Sequence, residues 1–265
     1  MTDHLDFALT LADLAAAQTV PRFRTDIAAE NKDASAYDPV TAADREAERA
    51  MRRAVLDALP GHGVLGEEDG ETPGAGRWRW VFDPVDGTRS FVCGVPLWTT
   101  LIGLEEEGTP MLGIIDQPVM GERWWGGRGL PARLRDRSGE REVRTSGCAR
   151  LSDARIMVTD IRCARGAYLS ADEAGRVGRL AEGGRLLRQG LDSYAFGLVA
   201  SGQMDLVVEA QLKWHDVAAV APVVEAAGGT VTDWAGRPLR EGWDGTAVVA
   251  ATADLAAAAR DALTG

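Results

Sequence analysis

The chain has 265 residues, 45% of them hydrophobic and 26% charged, with a formal net charge of −11. That length suits one large α/β unit or two closely packed halves. The acidity argues against a nucleic-acid binder, which needs clustered Lys and Arg, and no window approaches the roughly 18 uninterrupted apolar residues of a membrane span.

In chain order, Asp3, Asp6 and Asp13 interrupt the first apolar stretch, so no secretory signal is expected. Cys93, Cys148 and Cys163 are widely spaced and form no CxxC, which fits neither a zinc site nor a disulfide framework and suits a reducing, cytoplasmic setting. Residues 3–19 carry Leu5, Leu9, Ala12 and Ala16 at helical spacing and end at Pro21. Residues 25–39 read as irregular, with Lys32 in a polar loop. Thr41 and Asp44 form a capping pair that opens a second helix through Leu59. Residues 63–66 form a short strand-like segment, followed by Glu67 and a glycine-rich loop.

Trp80 to Phe82 reads as a short strand running into a turn punctuated by Pro84 and Gly87. Residues 97–104 and 111–115 are apolar strands joined by a hairpin at Glu106-Glu107-Gly108, and residues 123–126 and 132–143 extend the meander. Beyond about residue 151 the rhythm changes. Strands at 155–159, 186–188 and 205–209 alternate with helices at 171–181, 193–201 and 217–227, which implies layered α/β packing. Residues 253–263 close the chain as an alanine-rich helix, and residues 178–184 look like a flexible joint. The organisation expected is an N-terminal α+β half (residues 1–150) and a C-terminal α/β half (residues 151–265) in one catalytic unit.

The chemistry concentrates in Asp83-Pro84-Val85-Asp86-Gly87-Thr88. Two carboxylates three residues apart can hold a hard cation, and Gly87 lets backbone N–H groups approach an anion. An acidic turn that merely caps a helix has the same appearance. Further carboxylates at element ends are Glu67, and Asp216 in Trp214-His215-Asp216-Val217, where a helix N-cap is the simpler explanation. His215 has no second His or Cys nearby and reads as a neighbour rather than a ligand.

Taken together, Asp38 to Asp44, Gly66-Glu67-Glu68, Asp83 to Thr88, and Asp216 to Ala219 with Glu225 to Gly229 resemble the inositol monophosphatase superfamily in motif order and spacing over most of the chain. The resemblance implies a layered αβαβα sandwich of the inositol-monophosphatase/fructose-1,6-bisphosphatase type and a lithium-sensitive, Mg²⁺-dependent phosphomonoesterase using two or three ions. It implies that Glu67, Asp83 and the Val85 carbonyl hold one ion and that Asp83, Asp86 and Asp216 hold another. Glu67 would also help a loosely bound third. Thr88 and Asp44 would orient and deprotonate the attacking water, and the N–H groups of Gly87 and Thr88 would bind phosphate. A homodimer acting on a small phosphate monoester, with no nucleic-acid or membrane partner, is also implied.

For the alcohol, residues 89–98, Asp116-Gln117-Pro118 with Gly121 to Trp124, Leu212-Lys213 and Pro222 to Glu225 resemble the histidinol-phosphatase branch. The ammonium and imidazole of histidinol phosphate call for acidic groups, for which Asp192 and Glu209 are the candidates and Tyr194 a weaker one. Asp192 could equally be a helix N-cap and Glu209 a solvent-facing strand end. Trp98, Trp124 and Trp125 read as core or dimer-interface aromatics. The alternatives are an inositol-1-phosphatase or broad sugar phosphatase and, in a different class, a catalytically silent binding subunit. In inositol-type members Trp directly precedes the helix-opening Asp, whereas here His215 intervenes, which weakens the inositol assignment and leaves open whether His215 lines the pocket; Lys32, whose spacing to Asp44 is no clear match, is left out of the site.

Overall fold

The computed structural model describes residues 1–26, 29–31, 39–161 and 169–264; Lys32, Asp38 and Cys163 lie outside them. Helix α1 (Thr2–Thr19) stops where Pro21 enters a 3-10 turn. A two-strand pair, β1 (Glu30–Asn31) and β2 (Pro39–Val40), leads to α2 (Ala42–Ala58). The capping pair forms as expected: Ala43 N–H donates to Thr41 Oγ1 at 3.0 Å, and Thr41 N–H to Asp44 Oδ2 at 2.9 Å.

Next come β3 (Gly63–Gly66), β4 (Gly70–Thr72), β5 (Trp78–Asp86) and the short helix α3 (Thr88–Val92). Strands β6 (Thr99–Glu106), β7 (Thr109–Gln117), β8 (Glu122–Gly127), β9 (Leu130–Asp136) and β10 (Gly139–Glu142) complete an eight-stranded sheet in the order β10-β9-β8-β7-β6-β5-β3-β4. Among the described residues of this sheet, only β3 and β5 pair in parallel. Glu107 and Gly108 both have positive φ (51° and 77°), the backbone of a tight hairpin between β6 and β7.

The later chain gives β11 (Arg155–Val158), α4 (Ala171–Glu182), β12 (Leu186–Gln189), α5 (Tyr194–Ala200) and β13 (Leu206–Glu209). After them come α6 (Trp214–Val217), α7 (Val220–Ala226), β14 (Thr230–Thr232), β15 (Ala247–Ala250) and α8 (Ala253–Thr264). The second sheet has five strands, β12-β11-β13-β15-β14.

Period-two alternation sorts the apolar side chains into layers. Trp80, Phe82, Ile102, Ile114 and Trp125 face α1 and α2, while Val81, Leu101, Ile115 and Trp124 face α5–α7 in the middle. From the second sheet, Met157, Val207 and Val249 face that same middle layer. Ile156, Val158, Leu206, Val208 and Val248 face α4 and α8. The result is an αβαβα sandwich.

Several expectations change. Strand β5 does not stop at Phe82 but continues to Asp86, with a register shift between Asp83 and Asp86 where Pro84, lacking an N–H, can sit. Residues 132–143 are two strands, turned where Ser138 N–H donates to Asp136 Oδ1 at 2.8 Å. The helix read over 217–227 is two helices, α6 and α7, breaking at Ala218-Ala219. Gly178 lies inside α4, so residues 178–184 are largely helix rather than a joint. Trp98, Trp124 and Trp125 are buried, so they offer no interface.

One packing detail sets the position of the middle layer. Gly103, Gly113 and Gly126 pair side by side across β6, β7 and β8. A Cβ on Gly113 would fall 1.8 Å from the Ala219 carbonyl oxygen, and one on Gly103 3.1 Å from the Ala218 carbonyl carbon. The glycine row is a trench into which the α6–α7 junction sinks, two residues beyond Asp216.

Candidate active site

Asp83 and Asp86 end β5, and Glu67 follows β3, its N–H donating to Phe82 O at 3.2 Å across the parallel pair. The Asp83 side chain turns back, accepting Val85 N–H at 3.1 Å, and is only 3% exposed. Asp86 Oδ1 accepts Ser193 N–H at 3.4 Å from the segment before α5. Asp216 arrives from the opposite side on α6. It sits inside the first turn rather than at the N-cap, and its Oδ2 accepts Lys213 N–H at 2.6 Å. The capping explanation therefore accounts for one oxygen of Asp216 only.

These carboxylates converge. One ligand atom each from Asp83, Asp86 and Asp216 lies within 4.8 Å of the others, and the same holds for Glu67, Asp83 and His215. Burial, followed by repulsion from Glu67, Asp86 and Asp216, drives the Asp83 carboxyl well above the usual carboxylate range. Burial with Asp192 and Asp216 does the same to Asp86. Asp216 is raised by burial, partly offset by His215 and by the Lys213 N–H it accepts. An all-oxygen, mutually repelling donor set suits a hard divalent cation, which would relieve the repulsion.

Gly87 follows at φ 89°, a left-handed conformation that suits glycine, and Thr88 opens α3. As opening residues of a helix, their N–H groups have no helical acceptor. Thr88 Oγ1 donates to Val85 O at 3.0 Å and lies 3.4 Å from Asp44 Oδ1. Asp44, fully buried, thus divides its carboxylate: Oδ2 caps α2 and accepts the Thr41 hydroxyl at 2.6 Å, while Oδ1 faces Thr88. Burial raises its pKa.

All the candidate site residues except Asp44 and the weaker candidate Tyr194 line one cavity of about 590 Å³. Its outer wall holds Asp192 and Glu209. Asp192 is not a helix cap. It takes φ 46°, and its Oδ2 accepts Ser90 Oγ–H at 2.8 Å, arching over Gly87 so closely that a Cβ there would meet it at 2.8 Å. Nor does Glu209 face solvent: it is 5% exposed, and its Oε1 accepts both the N–H (2.6 Å) and the hydroxyl (2.8 Å) of Thr159. Burial pushes its pKa up to about 8. Tyr194 turns away, donating to Glu122 at 2.7 Å and packing edge-on against Trp124.

Sequence reading took His215 as a neighbour rather than a ligand and left open whether it lines the pocket; it does, beside Glu67 and Asp83. No local spacing signals this, because β3 and α6 meet only in three dimensions. Gln117 has a supporting role: its amide donates to Pro96 O and Trp98 O at 3.1 and 3.2 Å, pinning the loop after α3.

This layered sandwich, with a carboxylate-floored cavity that could hold a metal, is the architecture of a family of metal-dependent phosphatases. The chain matches the inositol monophosphatase family over residues 1–264 and belongs to it, a family of phosphoric monoester hydrolases. It is 40% identical over 233 residues to a chloroplastic bifunctional phosphatase of Arabidopsis thaliana, covering 84% of this chain and 62% of that protein. It is 38% identical over 260 residues to a histidinol-phosphatase of Streptomyces coelicolor, covering 90% of each. A solved inositol monophosphatase structure from Zymomonas mobilis superposes with a TM-score of 0.87 at 36% identity, covering 100% of this chain and 98% of that one.

Proposed function

We propose that the protein is a Mg²⁺-dependent phosphatase that hydrolyses histidinol phosphate to histidinol and phosphate. The observation that carries the substrate is the acidic wall: Asp192 and Glu209 face the same cavity as the metal-type carboxylates. Two carboxylates there suit an alcohol carrying an ammonium and an imidazole better than a neutral polyol. The likeness to the Streptomyces histidinol-phosphatase supports the same reading.

In this proposal Glu67, Asp83 and the Val85 carbonyl hold one ion and Asp83, Asp86 and Asp216 a second. Val85 O keeps a lone pair beyond the one that accepts Thr88. When bound, the ions neutralise the phosphate and lower the pKa of the attacking water. The Thr88 hydroxyl turns from Val85 O toward Asp44 Oδ1, takes the proton of that water and passes its own to Asp44, which its burial readies for the neutral form. Gly87 and Thr88 N–H groups hold the phosphate oxygens. Asp192 and Glu209 receive the cationic groups, Asp192 held in place by Ser90 and Glu209 by Thr159. Li⁺ should inhibit, and the proposed assembly is a homodimer.

A second reading, an inositol-1-phosphatase or broad sugar phosphatase, is favoured by the Zymomonas likeness. Measuring kcat/KM on histidinol phosphate, inositol 1-phosphate and fructose 1,6-bisphosphate separates the two. A preference for histidinol phosphate, together with rescue of a histidine auxotroph lacking its histidinol phosphatase, is expected. Equal or lower efficiency on it would reject the proposal.

A further inference from the structure

The floor of the cavity is not all oxygen. His215 stands on α6 directly before Asp216, its side chain 11% exposed and its Nε2 3.4 Å from Asp216 Oδ1. One of its ring nitrogens lies within 4.8 Å of ligand oxygens of both Glu67 and Asp83. Asp83 belongs to this trio and to the trio with Asp86 and Asp216, so the two potential ion positions share one carboxylate and differ in the imidazole. The Trp214 indole anchors the helix that carries His215, donating to the buried Glu105 at 2.8 Å, and Glu105 is in turn held by Arg79. The imidazole is therefore presented from a braced element rather than a free loop.

Imidazole is a poor partner for Mg²⁺, which takes oxygen ligands in tight octahedra, but a good one for first-row transition ions. We propose that Glu67, Asp83 and His215 form a mixed nitrogen–oxygen site that selects a divalent first-row transition ion over Mg²⁺, while the Asp83, Asp86 and Asp216 position remains a hard-cation site. This rests on the reading of these carboxylates as metal ligands and changes the ion only at the Glu67–Asp83 position, leaving the Mg²⁺ dependence to the Asp83, Asp86 and Asp216 position. Its content is new in the ligand, His215, and in the difference between the two positions.

The chain has only three histidines. His4 and His62 lie against each other and Trp78 in a separate aromatic cluster, with ring centroids 5.7 Å apart, so a nitrogen signal from the carboxylate site reports His215. The test uses purified, metal-free full-length protein titrated with Mn²⁺ and followed by pulsed EPR, with natural-abundance and ¹⁵N-histidine-labelled samples. Nitrogen modulation that changes with the label is expected, and its absence from bound Mn²⁺ overturns the proposal. Calorimetric titrations with Co²⁺ and Mg²⁺ on wild type, His215→Phe and His215→Gln add the selectivity. Loss of the imidazole should weaken Co²⁺ by at least about 10-fold and Mg²⁺ by less than about 3-fold. Equal weakening of both ions counts against a nitrogen ligand. Should wild type bind none of the three ions, the metal reading beneath it falls as well, an outcome distinct from oxygen-only binding.

Discussion

The floor and the wall of the cavity are both acidic, yet they differ in how closely their carboxyls crowd. On the floor, the carboxyls of Asp83, Asp86 and Asp216 crowd one another, and burial compounds the repulsion. On the wall, each carboxylate has its own neutral donors: Ser90 for Asp192, and the Thr159 hydroxyl and N–H for Glu209. The floor carboxylates also accept neutral donors, the N–H groups of Val85, Ser193 and Lys213, but ligand oxygens of all three lie within 4.8 Å of one another, a repulsion that a bound cation would relieve. In the proposed reading the floor takes an ion and the wall the cationic groups of the substrate.

The largest expected effect breaks the floor. Asp83→Asn should cut kcat by more than about 100-fold, since it removes the carboxylate common to both trios. The same change should raise the melting temperature of the metal-free protein at neutral pH, because it deletes a buried repelling charge, and scanning calorimetry with and without divalent ion reads both signs. A melting temperature lowered in both conditions would mean that Asp83 is structural.

Next in size is the seat of the middle layer. Gly113→Ala places a methyl 1.8 Å from a backbone oxygen, so β7 or the α6–α7 junction must move. A stability loss at or above the roughly 1–3 kcal/mol of an overpacked core is expected by chemical denaturation. Divalent-ion affinity should weaken alongside it, whereas Gly178→Ala, inside α4 at a position with open space, should leave that affinity unchanged.

The wall should respond more mildly. Glu209→Gln should raise KM for histidinol phosphate about tenfold, the equivalent of one charged hydrogen bond of about 1.5 kcal/mol, and leave kcat on a neutral phosphate ester within about twofold. Its stability signature depends on pH. The Glu209 carboxyl has an ordinary pKa of 4.5 and a folded value of about 8, so between those values the folded protein holds a proton that the unfolded chain has released. The stability it contributes is complete below about pH 4.5, declines as pH rises and is gone above about pH 8. Glu209→Gln, which mimics the protonated form, should match wild type in melting temperature near the acid end and exceed it above about pH 8. A constant offset across the range would contradict the burial assigned to this carboxyl.

Much of this arrangement was legible in the chain because its signals are local. The Thr41–Asp44 cap, the Glu107-Gly108 hairpin and the run from Asp83 to Thr88 each fix backbone geometry within a few residues. What was not legible depends on distant pairing. Strand β15 is buried and neutral in pattern, and its place between β13 and β14 follows from register alone. Asp192 looked like a cap because helix α5 begins just after it. Only the approach of Ser90, 102 residues away, shows where its carboxylate goes. His215 was set aside for want of a second imidazole, whereas its neighbours in the fold are carboxylates on other strands. The break between α6 and α7 was hidden because Ala218 and Ala219 favour helix as readily as their neighbours.

The trench of Gly103, Gly113 and Gly126 works as a gauge made of missing atoms. How far Asp216 and His215 stand from Asp83 is set by how deeply one helix junction can settle into three strands. That depth is limited by hydrogen atoms where every other residue would place a carbon. The spacing of the proposed ion ligands is thus calibrated by positions that belong to neither carboxylate trio. A search for residues that retune its ion preference should include the back of the sheet as well as the cavity.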